Sequence, residues 1–466
     1  MFSETELRRL LDARMEREKL TGVSACIMGP EGPVFSYENG VMNQSGRRVD
    51  GETMFGIASM SKSITALCLC ILEAEGRLSL EEPVRTYIEN FEMPGVPWEC
   101  VRVRHLMNHT SGLPTTPCLE WASMLYSGRP VDADGRKLLE ECPGPMRDLE
   151  DLLSYIRTCP YPLTGMPGED MSYSNDGYAI LSYIVDRCAS MPLEDFMRER
   201  VFQPLGMTRS ILDSGHEESR KLSGDNLTSL FDLSGDVLTC SDRWTVIPPY
   251  RGCAMVKSTA RDMAVYYRCL SLHGMHEGRQ AIPREAVERL IGAGHRLDGM
   301  PRMCFGLYKR KWDGHVVCHH AGGLYGVSSQ GGLLMGEGYG FSVLCNLSEQ
   351  DMEDWMWDMI RAVTGSRAER EWLRATGSLF SRPDLLEGRY TGHEGMEDVI
   401  LVTGDHDRIR CEKNGERLDM RYCGGTWFRG EDGEGKLSCR LEFLLRDSRC
   451  RGLRCGSRIF MRAGDA

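Results

Sequence analysis

Apolar positions along the chain follow three rhythms in turn. Residues 4–19 repeat at helical spacing. Residues 23–28 and 34–37 alternate as strands around the turn Gly29-Pro30-Glu31-Gly32. A dense apolar run follows, with Leu67, Cys68, Leu69, Cys70, Ile71 and Leu72, and reads as a buried helix that stops near Gly76. From residue 78 to about 250 helical patterns dominate, broken by proline-rich loops. From Cys304 the period becomes two, which predicts strands over 305–308, 315–318, 327–334 and 341–345. A helix from 352 to about 374 closes this part. After Arg382-Pro383 short alternating runs appear at 399–402, 408–411 and 441–444, and Asn414-Gly415 is a hairpin signal. The pattern therefore predicts an α/β (α+β) unit over 1–380, with an all-α subdomain at about 78–250. A small all-β barrel or sandwich over 385–466 completes the chain.

Composition narrows the class. A chain of 466 residues exceeds what one core usually organises. Its 41% hydrophobic and 27% charged residues are those of a soluble globular protein. A net charge of -12 without any basic run argues against nucleic acid as partner. The first residues form an amphipathic helix start rather than a signal peptide, and no stretch reaches the ~20 apolar residues of a membrane span. The 19 cysteines are scattered, odd in number and without zinc-ligand spacing, which points to free thiols in a reducing cytoplasm.

Candidate chemistry begins at Ser59-Met60-Ser61-Lys62, where the buried helix starts. Positions three apart share a helix face, so Lys62 can hold its amine beside the Ser59 hydroxyl. A serine becomes a nucleophile when a neighbouring base takes its proton. Burial among apolar side chains is expected to lower the Lys62 pKa enough for that task. The structural alternative is a core helix with a capping serine. Tyr173 and Asn175 lie in a turn feeding the next helix, where they are either turn formers or a proton shuttle and a substrate-orienting amide. His105 and His109 have a spacing metal ligands use, but no third ligand lies nearby, and a structural role is preferred. The glycines of His319-His320-Ala321-Gly322-Gly323-Leu324-Tyr325-Gly326, placed between two strands, allow close approach of a ligand.

Ser59-Met60-Ser61-Lys62, Tyr173-Ser174-Asn175 and His320-Ala321-Gly322 together resemble, in order and rough spacing, the three motifs of penicillin-recognising serine hydrolases. The similarity is to the class C β-lactamase, D,D-carboxypeptidase, D-aminopeptidase and esterase group. His109-Thr110-Ser111-Gly112-Leu113-Pro114, Pro204-Leu205-Gly206-Met207 and Ser258-Thr259-Ala260-Arg261-Asp262-Met263 also resemble that group, over roughly residues 5–375. The resemblance implies a β-lactamase/transpeptidase-like antiparallel sheet flanked by helices. The C-terminal part resembles, more weakly, the lipocalin-like appendage of some members.

Carried over, the resemblance makes Ser59 the acylated nucleophile and Lys62 its general base, alone or shared with Tyr173. Tyr173 would relay the proton to the leaving group. Asn175, His320 and Gly322 would bind substrate, and the backbone N–H groups of Ser59 and Gly323 would form the oxyanion hole. Two departures stand out. His320 replaces the lysine that binds a substrate carboxylate in β-lactamases, and residues 114–167 form a longer connection, read as a lid or a surface insertion. The implied activity is acyl-enzyme hydrolysis of a small amide, peptide (D-residue peptides included) or ester, without cofactor or metal. An acyltransferase using the same acyl-enzyme and a silent binding or scaffold protein are the alternatives. The expected partner is a small molecule or short peptide, with no nucleic acid or membrane. Regulation or homo-oligomer assembly is left for the C-terminal part.

Overall fold

Strand β1 (Gly22–Gly29) is buried along its whole length. Its alternate side chains enter two different cores. Val23, Ala25 and Ile27 pack with Leu7, Leu11 and Met15 of helix α1 (Glu4–Arg17). Cys26 and Met28 join the larger core on the opposite face. This is the period of two acting on a sheet covered on both sides. The computed structural model describes residues 3–292, 294–296, 301–368, 376, 380–393, 398–405, 408–431, 437–447 and 449–464.

The larger core is built on helix α2 (Ser61–Ala74), twelve of whose residues are buried. A helix apolar on all sides must sit inside a domain. Helices α3 (Asn175–Ala189) and α4 (Ala260–Ser271) contribute Ile180, Leu181, Ile184, Met263, Tyr266 and Leu270 to the same core. The chain then returns to the sheet through β3 (Arg302–Met303), β4 (Tyr308–Trp312), β5 (His315–Leu324), β6 (Val327–Leu334) and β7 (Tyr339–Cys345). With β2 (Gly32–Gly40), the sheet order is β3-β4-β5-β6-β7-β1-β2. The register pairs Val23 with Cys345 and Met28 with Gly340, antiparallel. Helix α5 (Glu353–Thr364) covers the α1 face with Trp355, Met356, Met359 and Ile360.

Three local expectations are corrected. The glycine-rich motif does not lie between strands but on β5 itself, which runs on to Leu324. Helix α5 ends at Thr364, where Gly365 turns left-handed with φ 71°, rather than near 374; residues 369–375 lie outside the described part. The 78–250 stretch is mainly helical but also carries a hairpin, Leu230–Ser234 with Val237–Ser241.

Toward the C-terminus, β8 (Gly388–Gly392), β9 (Asp398–Asp405), β10 (Arg408–Lys413), β11 (Glu416–Gly424), β12 (Trp427–Glu431), β13 (Leu437–Arg446), β14 (Arg449–Cys455) and β15 (Arg458–Arg462) close into a barrel. Pairing of Tyr390 with Arg462 makes the closure. Asn414 and Gly415, with φ 49° and 85°, form the expected tight turn between β10 and β11. Tyr390, Ile400, Phe428, Leu441, Phe443 and Phe460 fill the interior.

The barrel docks on the strap that leads into α3. Glu169 pairs with Arg446 at 2.8 Å, and Asp170 with Arg451. The Ser172 hydroxyl accepts the Ile459 N–H, and the Tyr173 N–H donates to Ser457 O at 2.8 Å.

Candidate active site

Ser59 sits in a single 3-10 turn, Ala58–Met60, immediately before α2. Ala58 takes φ 44°, the left-handed region that a residue with a side chain enters at a cost of about 1–2 kcal/mol. The turn is fixed by its surroundings. Ile57 N–H donates to Val256 O, the Ser329 hydroxyl donates to Ile57 O at 2.9 Å, and the Ser61 hydroxyl donates to Ala58 O at 2.7 Å. Strand β5 lies so close that a Cβ on Gly322 would fall 2.3 Å from Ile57 O. Only a residue without a side chain permits that approach.

Lys62, one helical turn on, places Nζ 3.0 Å from Ser59 Oγ. Its side chain is fully buried. Nζ also meets Cys253 O at 3.2 Å and Cys253 Sγ at 2.7 Å, and lies 5.0 Å from the centre of the Tyr173 ring. Burial by itself pulls the Lys62 amine down, but Cys253 and Tyr173, as charge and hydrogen-bond partners, raise it, and the balance is upward. The expectation that burial lowers the Lys62 pKa is thus corrected: the direction is upward. The Cys253 thiol is pushed up by burial, against the pull of Lys62, so it stays protonated at neutral pH.

Tyr173 is nearly buried, on the strap before α3. His109 stacks on its ring at 4.3 Å and 27°. His109 Nδ1 accepts the Ser174 N–H at 3.0 Å, while burial and then Lys62 keep the imidazole well below its ordinary pKa. His109 therefore acts as a neutral shelf for the phenol. His105 takes a different task, accepting the Arg102 N–H at 3.2 Å. Asn175 opens α3, capped by Ser174, whose hydroxyl accepts Gly177 N–H. The Cys253 thiol donates to Asn175 Oδ1 at 3.1 Å. Cys253 thus links Lys62 to Asn175.

On the opposite side of the cleft, β4 ends its pairing at Tyr308 against His319. From His320 onward β5 is hydrogen-bonded only to β6 on one side, and its other edge runs beside the Ser59 turn. Gly323 is exposed there, and a Cβ on it would meet nothing within 4 Å. His320 is buried, with its pKa pushed down to about 4 by burial and then by Lys62. Its Nδ1 lies against Ala321 O. A carbonyl can only accept, so Nδ1 carries the proton and Nε2 presents a lone pair. Nε2 is buried without a hydrogen-bond partner among the described residues. His320 thus offers an acceptor where the related motif offers a cation.

Ser59, Lys62, Tyr173 and His320 therefore converge, with Asn175 and Gly322 at their margins. The profile of the Beta-lactamase family matches residues 7–364. The chain belongs to the Beta-lactamase family. That family comprises serine hydrolases, as the three motifs imply. Among curated relatives, Penicillin-binding protein 4* of Bacillus subtilis (strain 168) is 28% identical over 44% of this chain and 40% of its own. Esterase EstB of Burkholderia gladioli is 29% identical over 43% and 49%. The chain thus spans less than half the length of these relatives. The octameric penicillin-binding protein homologue from Pyrococcus abyssi superimposes with TM-score 0.67 and 21% identity, covering 98% of this chain and 99% of that one. D-amino acid amidase from Ochrobactrum anthropi SV3 gives TM-score 0.61 and 20% identity over 77% and 98%. At these identities the superpositions establish the fold alone.

Several groups at the site carry no mark in the sequence. Cys253, His109 in its role under Tyr173, the strained Ala58, and the barrel turn at Ser457 and Arg458 all reach it through tertiary packing. The C-terminal barrel, to which the sequence leaves regulation or assembly, is bonded through its β14–β15 turn to the Tyr173 strap. The 114–167 segment is built into the helical side. Trp121 is buried and donates to Leu138 O. The Arg129 guanidinium lies 4.3 Å from the ring of Tyr325, just past the third motif.

Proposed function

We infer that the chain is a serine hydrolase that forms an acyl-enzyme on Ser59 with a small amide, short peptide or ester, D-residue peptides included. The observation that carries the reading is the 3.0 Å contact between Lys62 Nζ and Ser59 Oγ at the head of a buried helix. An ammonium there favours the alkoxide that develops as Ser59 attacks. With Lys62 protonated, the form that reacts has Tyr173 as the phenolate, which takes the Ser59 proton as the hydroxyl attacks and then gives it to the leaving group. Tyr173, held between His109 and Lys62, is placed for that relay. The Ser59 and Gly323 N–H groups receive the oxyanion, each donor worth about 3 kcal/mol of barrier. Asn175 and the acceptor face of His320 orient the amide of the substrate. Water then resolves the ester.

Other features fit this reading. The names of the relatives span esterase, amidase and penicillin-binding proteins, the range of acyl groups one activated serine can take. The octameric Pyrococcus homologue carries a matching C-terminal region, which supports self-association here. The order of helices and strands supports a division at 380–385 into a catalytic unit and a barrel. The free thiols fit a reducing compartment. No helix among the described residues is long and apolar enough to cross a membrane.

The test is intact-protein mass spectrometry after exposure to a fluorophosphonate, a penicillin, p-nitrophenyl esters and D- and L-aminoacyl p-nitroanilides. An adduct that disappears in Ser59→Ala establishes the nucleophile. No adduct in a folded protein refutes the reading in favour of a silent scaffold. Adding amine acceptors to a substrate that turns over separates transfer from hydrolysis.

A further inference from the structure

A group of thiols lies inside the barrel, next to the turn that holds Tyr173. Cys411 of β10 is buried in the barrel core, and Cys439 of β13 and Cys455 of β14 pack against the same core half-buried. The β13–β14 register pairs Leu441 with Cys455, and the Gly456 N–H donates to Arg440 O at 3.0 Å. Cys439, two positions before Leu441, therefore shares a face with Cys455 and is its diagonal neighbour across the two strands. Their thiols are hydrogen-bonded to each other. On the other side of Cys439 stands its cross-strand partner Gly430 of β12, where a Cβ would lie 2.7 Å from the sulfur.

The sulfurs are not equivalent. Burial pushes the Cys411 thiol up to about 12. Cys450, also on β14, is raised by burial, and the Tyr390 hydroxyl donates to its sulfur at 3.2 Å. Cys439 goes the other way, held below the ordinary thiol value by the hydrogen bond from Cys455, against burial. Cys439 is thus the sulfur that supplies a thiolate, and Cys455, already in contact with it, is placed to resolve a mixed disulfide.

Cys455 also ends β14, and the turn to Tyr173 follows at once. Ser457 O accepts the Tyr173 N–H at 2.8 Å, and the Ile459 N–H donates to Ser172 Oγ at 3.1 Å. A sulfur–sulfur bond of about 2.05 Å is shorter than any thiol–thiol hydrogen bond, so forming it draws the end of β14 toward Cys439.

We propose that Cys439 and Cys455 form a dithiol site that a low-molecular-weight disulfide such as glutathione disulfide oxidises to an intramolecular bond, and that this bond displaces the Tyr173 strap. The Cys439 thiolate attacks one sulfur of glutathione disulfide and releases a glutathione thiolate, which takes up the proton Cys439 lost. Cys455 then attacks the Cys439 sulfur, and its proton leaves with the second glutathione. In sum one S–S bond forms and one breaks; the cysteines lose two electrons, and glutathione disulfide gains them as two thiols. The effect on catalysis rests on the acyl-enzyme reading above, whereas the bond itself does not.

The experiment uses the full chain, reduced and then equilibrated with glutathione disulfide. Intact-mass measurement should show loss of two hydrogens, and proteolysis without reductant should yield a peptide linking Cys439 to Cys455. The rate of Ser59 labelling by a fluorophosphonate should fall by about tenfold on oxidation, the order expected when a group in the proton relay is displaced, and return with dithiothreitol. Cys439→Ser should form no link and keep its labelling rate under the same treatment, while Cys455→Ser should retain one glutathione on Cys439. Melting curves check that each variant is folded. A stable glutathione adduct on the wild type, a link from either cysteine to Cys411, or a Cys439–Cys455 bond that leaves labelling unchanged overturns the proposal. A reduced wild type that is not labelled at Ser59 refutes the acyl-enzyme reading, and with it the effect on catalysis; the linked peptide then decides the dithiol site by itself.

Discussion

Gly322→Ala is the sharpest probe of how the site is built. Gly322 is not among the residues with positive φ, so alanine faces no backbone penalty there. The cost comes from space. The added Cβ would stand 2.3 Å from Ile57 O and 2.4 Å from Ser329 Oγ, against an ordinary contact of 3.4 Å or more. The serine hydroxyl can rotate away, but Ile57 O is backbone, two residues before Ser59. Strand β5 and the Ser59 turn must therefore separate by roughly 1 Å, a displacement that typically costs about 100-fold in rate when it falls between reacting groups. That is about 2.7 kcal/mol of barrier. Overpacking should also lower stability by about 1–3 kcal/mol. The assay is the second-order rate of Ser59 labelling by a fluorophosphonate, read with a melting curve on the same sample. Gly323→Ala is the control, since its Cβ meets nothing within 4 Å and should leave the melting temperature unchanged. A folded Gly322→Ala protein labelled within about threefold of the wild-type rate would refute the view that contact between β5 and the turn sets the nucleophile.

Cys253→Ala removes the thiol between Lys62 and Asn175; the loss of a hydrogen bond to a charged group predicts a roughly tenfold to hundredfold fall in kcat/KM, with Cys253→Ser recovering part. Because Cys253 helps raise Lys62 against burial, the alkaline limb of the pH–rate profile should also move to lower pH in Cys253→Ala, and an unmoved limb would exclude that role. His320 and His105 are both pushed down to about 4 by burial from an ordinary 6.5. Between these values the unfolded chain binds protons that the folded one refuses, so stability should fall as pH drops from 6.5 to 4, by about 1.4 kcal/mol per pH unit per histidine. Urea unfolding across that range should show a shallower slope for His320→Gln. Glu442→Ala leaves the buried Arg454 without its 2.8 Å partner; a loss on the order of 3 kcal/mol is expected, with faster proteolysis of the 164–173 strap. Unchanged stability would mean that Asp170 alone compensates.

What the chain determines by itself is local. The helix that carries Lys62 follows from one apolar run, and a spacing of three brings Lys62 to the side of Ser59 in the turn just before it. The strands of the sheet follow from a period of two, and the turn at Asn414-Gly415 from residues that tolerate positive φ. The order of the three motifs carries the family. Tertiary structure decided the rest, because the groups concerned are far apart in the chain. Cys253 reaches Lys62 across 191 positions, and Ser329 reaches Ile57 across 272. The direction of the Lys62 shift depends on those arrivals: burial was legible in the apolar neighbours, but the opposing partners were not. The glycine motif looked like a loop because glycines weaken a strand on paper, yet β5 keeps it extended through pairing with β6 while the Ser59 turn presses against it. Arg458 shows the same limit most plainly. In the sequence it is one arginine among several in an alternating stretch; only closure of the barrel and its docking on the strap bring that charge to Tyr173.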